Sequence, residues 1–197
     1  MKNRYWVAAL ATLSVAGVAA VTVPGSNITE SAEEAVVNGV SLEVDLSERQ
    51  LYVMEGGEVV RSYAVAIGKP SYPTPKGSFN IRRIIWNPRW VPPDSKWAKN
   101  KTAKGPGEPG NPMGRVKIFF SEPDYYIHGT REVDSLGSAE SHGCLRMRNA
   151  DVISLAKTVM EAGGKPVQQS FVRRVINRVR ATQEVRLSSP VRIQIKA

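Results

Sequence analysis

From Val40 onward, apolar and polar side chains alternate. In VSLEVDL, Val40, Leu42, Val44 and Leu46 alternate with Ser41, Glu43 and Asp45, the period-two pattern of a strand with one buried face. SERQ (47–50) reads as a turn into LYVM, and EGGE (55–58) as a turn into VVRSYAVAI, which gives two turn-separated hairpins over residues 40–67. GSFNIRRII (77–85), RVKIFF (115–120), YYIH (125–128) and the terminal VRIQI (191–195) predict further strands. One helix is well marked. Asn149 is placed to cap ADVISLAKTVMEA, Val152, Leu155, Ala156 and Val159 share a face, and Gly163 ends it. A second helix is expected over SFVRRVINRVRA (170–181), where Val172, Val175, Ile176 and Val179 form a stripe opposite the arginines. The pattern predicts a mainly β domain with one or two helices.

The start of the chain follows a different rule. Lys2 and Arg4 precede an uncharged run of 19 residues from Tyr5 to Val23, with the small residues Val18 and Ala20 near its end. A basic start, an apolar run and small residues describe a secretory signal peptide. The same run is just long enough to span a bilayer, so a retained N-terminal membrane anchor stands beside it. In both cases the basic flank stays inside and the remainder faces outward. A buried core helix fits less well, because no polar face interrupts the run. Residues 24–38, PGSNITESAEEAVVN, read as a polar linker, which leaves 39–197 as the folded domain.

Between Trp86 and Arg115 the alternation disappears. This stretch holds Trp86, Trp90 and Trp97 among prolines, glycines and lysines. A structureless loop of this length in a compact domain is usually functional or disordered, and the tryptophans argue against disorder. It is expected to be a lid or substrate-binding wall, with a wrap around the sheet edge as the plainer reading.

Composition narrows the class. The chain has 197 residues, 42% hydrophobic and 23% charged, ordinary for a single globular domain rather than a disordered chain. Most of the formal net charge of +9 lies in residues 164–197, where eight Lys or Arg face one acid, Glu184. A basic patch of this kind attracts nucleic acid, acidic lipid or an anionic wall polymer. An exported protein does not meet nucleic acid, which leaves wall polymer or membrane surface as the partner of the basic 168–180 segment. The plainer reading of that segment is a solvated charged helix face.

The chemistry converges on one region. Cys144 is the only cysteine, so no internal disulfide is possible, and the only two histidines, His128 and His142, both lie within 16 residues of it. A thiol attacks as its thiolate, which a nearby imidazole can generate or stabilise. His128 ends a predicted strand, and the Gly129 carbonyl that follows could hold its second nitrogen. Gly143 removes a side chain beside the nucleophile, so backbone N–H groups there can approach a developing oxyanion. Arg146 suits a substrate carboxylate or a lowered thiol pKa. Alternatives remain at this point. Cys144 could be a small buried apolar residue, or His128, His142 and Cys144 could bind zinc with Asp134 or Glu140. A serine mechanism through Ser141 lacks a nearby lysine.

IHGT (127–130) followed by SHGCLRM (141–147) resembles the signature of the L,D-transpeptidase catalytic domain family. The likeness extends to VDLSERQLYVMEGGEVVRSYAVAIGKPSYPTPKGSF (44–79), WNPRWVPP (86–93) and GPGEPGNPMGR (105–115), about Val40 to Gly163. The resemblance implies a β-sandwich or barrel with helices packed on it. It also implies a cysteine enzyme of the peptidoglycan in the periplasm or cell wall, either free or anchored to the outer face of the inner membrane. In that family's chemistry Cys144 attacks the carbonyl between the third residue and the terminal D-alanine of a tetrapeptide stem. D-alanine leaves, and an amine of another stem takes the acyl group from the thioester. His128 is then the general base, oriented by the Gly129 carbonyl. His142 and Gly143 line the oxyanion site, Arg146 positions the donor, and Ser141 supports the local hydrogen bonding. No metal or organic cofactor is required. Water as acceptor would make a carboxypeptidase, and a protein amine would make a ligase attaching that protein to the wall. A non-catalytic wall-binding module would tolerate loss of Cys144 or His128, and both are present. A papain-like order, with cysteine early and histidine far downstream, is the reverse of what this chain has.

Overall fold

The alternation in the sequence becomes one strongly curved sheet. The computed structural model describes residues 39–197, so the expected signal or anchor (1–23) and the linker (24–38) lie outside the described residues. Strands β1 (Val40–Asp45) and β2 (Gln50–Glu55) form the first hairpin, with Leu42, Val44, Leu51 and Val53 buried. The Asp45 carboxylate accepts the N–H groups of Ser47 and Glu48 at 2.9 and 3.0 Å, which closes the turn. Gly56 and Gly57, both at positive φ, turn β2 into β3 (Glu58–Ala64). A short β4 (Ile67–Gly68) pairs in parallel with β8 (Ala139–Ser141).

The remaining strands are β5 (Gly77–Trp86), β6 (Val116–Ser121), β7 (Tyr125–Thr130), β9 (Leu145–Arg148) and β10 (Gln183–Lys196). They complete an eight-stranded sheet in the order β3-β2-β1-β10-β5-β6-β7-β9. Just past β3, Ala66 exchanges two backbone hydrogen bonds with Arg146 of β9, at 3.0 and 2.9 Å. The two ends of the sheet therefore meet, and the sheet is nearly closed. Helix α1 (Asn149–Ala162) fills it, burying Val152, Leu155, Ala156, Val159 and Met160. Trp86 is fully buried against it, its indole N–H donating to Met160 Sδ at 3.3 Å.

Three local expectations change. The last strand is longer than 191–195, running from Gln183, because a register shift between Arg186 and Val191 absorbs the interruption at Pro190. Asn149 begins α1 but does not cap it. Its Oδ1 accepts the Arg115 N–H at 2.9 Å and its Nδ2 donates to the Thr130 carbonyl at 3.1 Å, so the amide joins β6 to β7.

The helix expected over 170–181 is the third. It stops half-way, as a single turn α2 (Gln169–Phe171) continued by a π-helical turn over Val172–Ile176. The cause is Asn87, buried and at positive φ just after β5. Its Nδ2 donates to the carbonyls of Val175, Arg178 and Ala181 at 2.9, 3.0 and 2.9 Å, while its Oδ1 accepts Arg115 Nε–H at 2.9 Å. Carbonyls taken in this way cannot all continue a helical ladder. Val175 is buried as the stripe predicted, but Val179 is left exposed.

Replacing Asn87 with glycine keeps the positive φ and removes the donors. We expect Asn87→Gly to lower the unfolding free energy by about 2–3 kcal/mol. Amide exchange should accelerate selectively over residues 169–182, measured by hydrogen–deuterium exchange. Unchanged exchange in that segment would mean that something other than this amide holds it.

Candidate active site

Strand alternation sorts the residues of β7 to opposite faces. Ile127 points into the core and is fully buried, while Tyr126 and His128 face the other way into a cavity of about 430 Å³. Lys117 of β6 is the direct cross-strand partner of His128, and it lines the same cavity. From the adjoining β8–β9 segment come Ser141, His142, Cys144 and Arg146. The parallel pairing of β7 with β9 sets Ile127 against Leu145 and His128 against Arg146, which brings the two sequence motifs together.

His128 is buried, and its Nδ1 lies 2.8 Å from the Gly129 carbonyl. A carbonyl only accepts, so Nδ1 carries the proton and Nε2 keeps its lone pair. Burial drives the ring's pKa down to about 3, and the positive charges of Arg146 and Lys117 act in the same direction. At neutral pH the ring is therefore an uncharged base with a fixed tautomer.

The close packing behind His128 explains its glycine. A side chain on Gly129 would collide with Asn149 Oδ1, and one on Gly114 would collide with the same oxygen and with the Gly129 backbone. Asn149 thus braces the strand end that carries the base. Its position resembled an ordinary helix cap in the sequence, which concealed this role.

Cys144 is half-buried, and its thiol donates to the Asp124 carbonyl at 3.3 Å rather than to the His128 ring. Burial pushes its pKa up, while the Tyr126 backbone N–H and hydroxyl, Lys117 and Arg146 pull it down. The turn before it is held by Ser141, whose Oγ accepts the Gly143 N–H at 3.0 Å and donates to the Cys144 carbonyl at 2.5 Å. The Gly143 amide is therefore engaged in this structure rather than open. Gly143 sits at φ +103, and a Cβ there would come within 2.8 Å of the Tyr125 ring.

His142 stacks on Trp97, with centroids 4.1 Å apart and planes at 17°, and leans on Tyr72 at 4.9 Å. Burial first, then the charges of Lys69, Arg146 and Lys101, lowers its pKa. Arg146 contacts Glu132 at 2.8 Å. No group of three or more His, Cys, Asp or Glu side chains suited to a metal ion lies among the described residues.

The long segment after Trp86 forms one wall of this cavity, through Trp90, Trp97, Lys101 and Met113. It is stapled internally. Trp90 and Lys104 exchange two backbone hydrogen bonds at 2.9 Å, and Asn111 Nδ2 donates to the carbonyls of Pro88 and Gly105 at 2.9 and 2.8 Å. Lys117 and Tyr126 are site residues that the sequence did not single out. Their only signal was alternation, which sets both on the same face as His128.

Comparison with known proteins gives the family of the chain. The family model of the YkuD L,D-transpeptidase catalytic domain matches residues 39–188. The protein named as L,D-transpeptidase YkuD of Bacillus licheniformis is 34% identical over 116 residues, 59% of this chain and 58% of its own. The protein named as L,D-transpeptidase ErfK/SrfK of Salmonella typhimurium is 32% identical over 117 residues, 55% of this chain and 38% of its own. The matched part of this chain thus spans little more than half of the first relative and less of the second. Among solved structures, the catalytic domain of the E. faecium L,D-transpeptidase superposes with a TM-score of 0.50 at 17% identity, over 80% of this chain and 96% of that one. Mycobacterium tuberculosis L,D-transpeptidase 3, in complex with a faropenem-derived adduct, gives 0.50 at 14% identity, over 81% and 60%. Those two likenesses speak to the fold. With the family model covering residues 39–188, the chain belongs to the L,D-transpeptidase (YkuD) catalytic-domain family.

Proposed function

We propose that this protein is a peptidoglycan L,D-transpeptidase with Cys144 as nucleophile and His128 as general base. One observation carries the reading. A neutral imidazole with its Nδ1 proton held by a backbone carbonyl shares one cavity with the chain's only thiol. Nε2 takes the thiol proton as Sγ attacks the carbonyl between the third residue and the terminal D-alanine of a tetrapeptide stem. The oxyanion develops against the Cys144 backbone N–H, where no side chain on Gly143 obstructs it, and the Gly143 N–H joins only on leaving Ser141 Oγ. The imidazolium passes its proton to the leaving amine, D-alanine departs, and a thioester remains. An amine of a second stem then attacks the thioester, gives its proton to His128, and the amide forms as the thiol is regenerated.

Burial makes the imidazolium short-lived. With the ring's pKa near about 3, a proton taken from Cys144 is readily surrendered to an amine. Arg146, held by Glu132, presents its charge to a stem carboxylate, and Ser141 fixes the turn that aims Sγ. His142, stacked on Trp97, forms the wall on the other side.

The basic segment supplies a second contact with the same substrate. Arg173, Arg174, Arg178 and Arg180 are exposed and form no ion pair among the described residues. We assign them to docking on anionic wall polymer, with the protein exported by its N-terminal segment to the periplasm or wall. Replacing all four with Gln should weaken binding to intact wall at low salt and spare turnover of soluble stems. Equal sedimentation with wall would return the segment to a merely solvated surface, and lost binding to anionic vesicles alone would indicate the membrane.

Intact-protein mass after mixing with a soluble tetrapeptide stem tests the chemistry. We expect an adduct equal to the stem less D-alanine, absent in Cys144→Ala, which should keep the fold and lose all turnover. No adduct and no released D-alanine would instead favour a domain that binds wall without cutting it. Adding water alone, a stem amine or a protein amine then identifies the acceptor, separating transpeptidase from carboxypeptidase and ligase. His128→Ala should slow acylation far more than His142→Ala, by on the order of 100-fold or greater, and the reverse order would reassign the base.

The depressed pKa of His128 also predicts an acid sensitivity. Its folded value, near about 3, lies below the ordinary 6.5, so between those values the unfolded chain binds the additional proton. The stability associated with the neutral ring is complete above about pH 6.5 and is lost as pH falls toward 3. Denaturant midpoints should therefore fall with pH in the wild type and fall less steeply in His128→Gln.

A further inference from the structure

A buried thiol needs a positive charge nearby if it is to ionise, and His128 carries none at rest. Its only ring proton is on Nδ1, bound to the Gly129 carbonyl. Three other cations line the cavity, of which Lys101 lies over the Trp97 ring on the loop wall, 5.2 Å from its centroid. Arg146 is already paired with Glu132 at 2.8 Å. Lys117 has no carboxylate partner among the described residues.

The placement of Lys117 is constrained. It lies directly across the β6–β7 ladder from His128. Its ammonium sits 4.1 Å from the Tyr126 ring centroid and 5.9 Å from that of Phe119, two rings that pack edge-on against each other at 5.3 Å. Tyr126 in turn shares the cavity wall with Cys144, and its hydroxyl and backbone N–H favour the thiolate. Cation, ring and sulfur therefore follow one another along the cavity face. The groups facing Lys117 are Arg83 of β5, itself bound to Glu122, then Tyr126 and His128 of β7, and Cys144 and Arg146 beyond. Asp124 lines the cavity beyond Tyr126.

From this row of groups we infer that Lys117 is the electrostatic partner of the Cys144 thiolate, standing in for the imidazolium that a buried His128 does not offer. The inference deepens the function proposed above and rests on Cys144 being its nucleophile. The S–H bond breaks, its proton goes to His128 Nε2 or to water, and the electron pair left on sulfur is met by the ammonium. Burial lowers Lys117 to a pKa of about 8, and the thiolate charge opposes that shift. Lysine and thiolate thus support each other's charged forms in the cavity. The same positive charge disfavours an imidazolium at His128, which hastens proton transfer to the leaving amine.

Alkylation of Cys144 by iodoacetamide reads the thiolate directly, because the chain has no other cysteine. Rates are followed by intact-protein mass from about pH 6 to about pH 10, since only the thiolate reacts. We expect Lys117→Met to slow alkylation roughly tenfold near pH 7 and to converge on the wild-type rate once the thiol is fully ionised. Lys117→Arg should restore the neutral-pH rate to within about threefold. A Lys117→Met profile that superimposes on the wild type, or is lowered equally at every pH, overturns the inference. So does a Lys117→Arg profile no better than that of Lys117→Met. Lys117→Gln repeats the comparison should the methionine variant fail to give a folded circular dichroism spectrum. Iodoacetamide needs no stem peptide, so this result stands apart from whether stems are the substrate.

Discussion

The parallel pairing of β7 with β9 is the constraint on which the rest of the site depends. Parallel neighbours require a crossover, and here residues 131–144 supply it, passing through a 3-10 turn at Val133–Ser135 and through β8. The register is enforced from both faces. On the core side Ile127, Leu145 and Met147 are fully buried with α1. On the other face His128 and Arg146 lie side by side at the cavity. A slip of one residue would turn His128 or Arg146 toward the apolar core, so core packing fixes the geometry of the cavity. Gly129, Gly114 and the Asn149 amide lock the end of the pair, where any added Cβ would collide.

Electrostatics then decides which groups in the cavity are charged. Burial keeps the histidine neutral and opposes the thiolate. A cavity with only those two groups would hold an inert thiol and a base with little tendency to take its proton. Lys117 and Arg146 lower both pKa values, which favours the thiolate and disfavours the imidazolium. The result is a base that does not retain a proton and a thiol whose pKa stays above its ordinary value, though less far than burial alone would take it. This differs from a standing ion pair between imidazolium and thiolate. It is also consistent with the thiol hydrogen-bonding to the Asp124 carbonyl rather than to His128 in the resting state.

Much of this was legible in the sequence because it rests on local periodicity and rarity. Alternation marked β1, turn signals and apolar β-favouring runs marked β2, β5, β6 and β7, and three chemically scarce residues no more than 16 positions apart marked the candidate site. What was not legible depends on partners distant in sequence. The 170–181 stripe has good helical spacing, yet an amide at Asn87 takes the carbonyls that would have extended the helix. Asn149 satisfied every rule for a helix cap, but its amide is held by Arg115 and Thr130. Pro190 ended the visible pattern of a strand that bulges past it. Lys117 drew no notice within its strand, and only pairing with β7 sets it beside His128 at the cavity.

The segment after Trp86 bears on how a peptide could enter. Its prolines and glycines suggest mobility, but its hydrogen bonds describe a self-contained loop. The Trp90–Lys104 pair closes it, and Asn111 bridges its two halves from within. A loop held by its own backbone keeps its shape when it moves, so opening would be a rigid displacement rather than unfolding. Of the aromatic rings it carries, Trp97 is the one laid flat on a cavity residue, the His142 ring two positions before Cys144. Separating that stack exposes two faces with little cost in polar contacts, because neither ring nitrogen of His142 is engaged in a hydrogen bond among the described residues. The wall therefore meets the His142 ring through an aromatic stack, while backbone pairing holds the strands that carry His128 and Arg146.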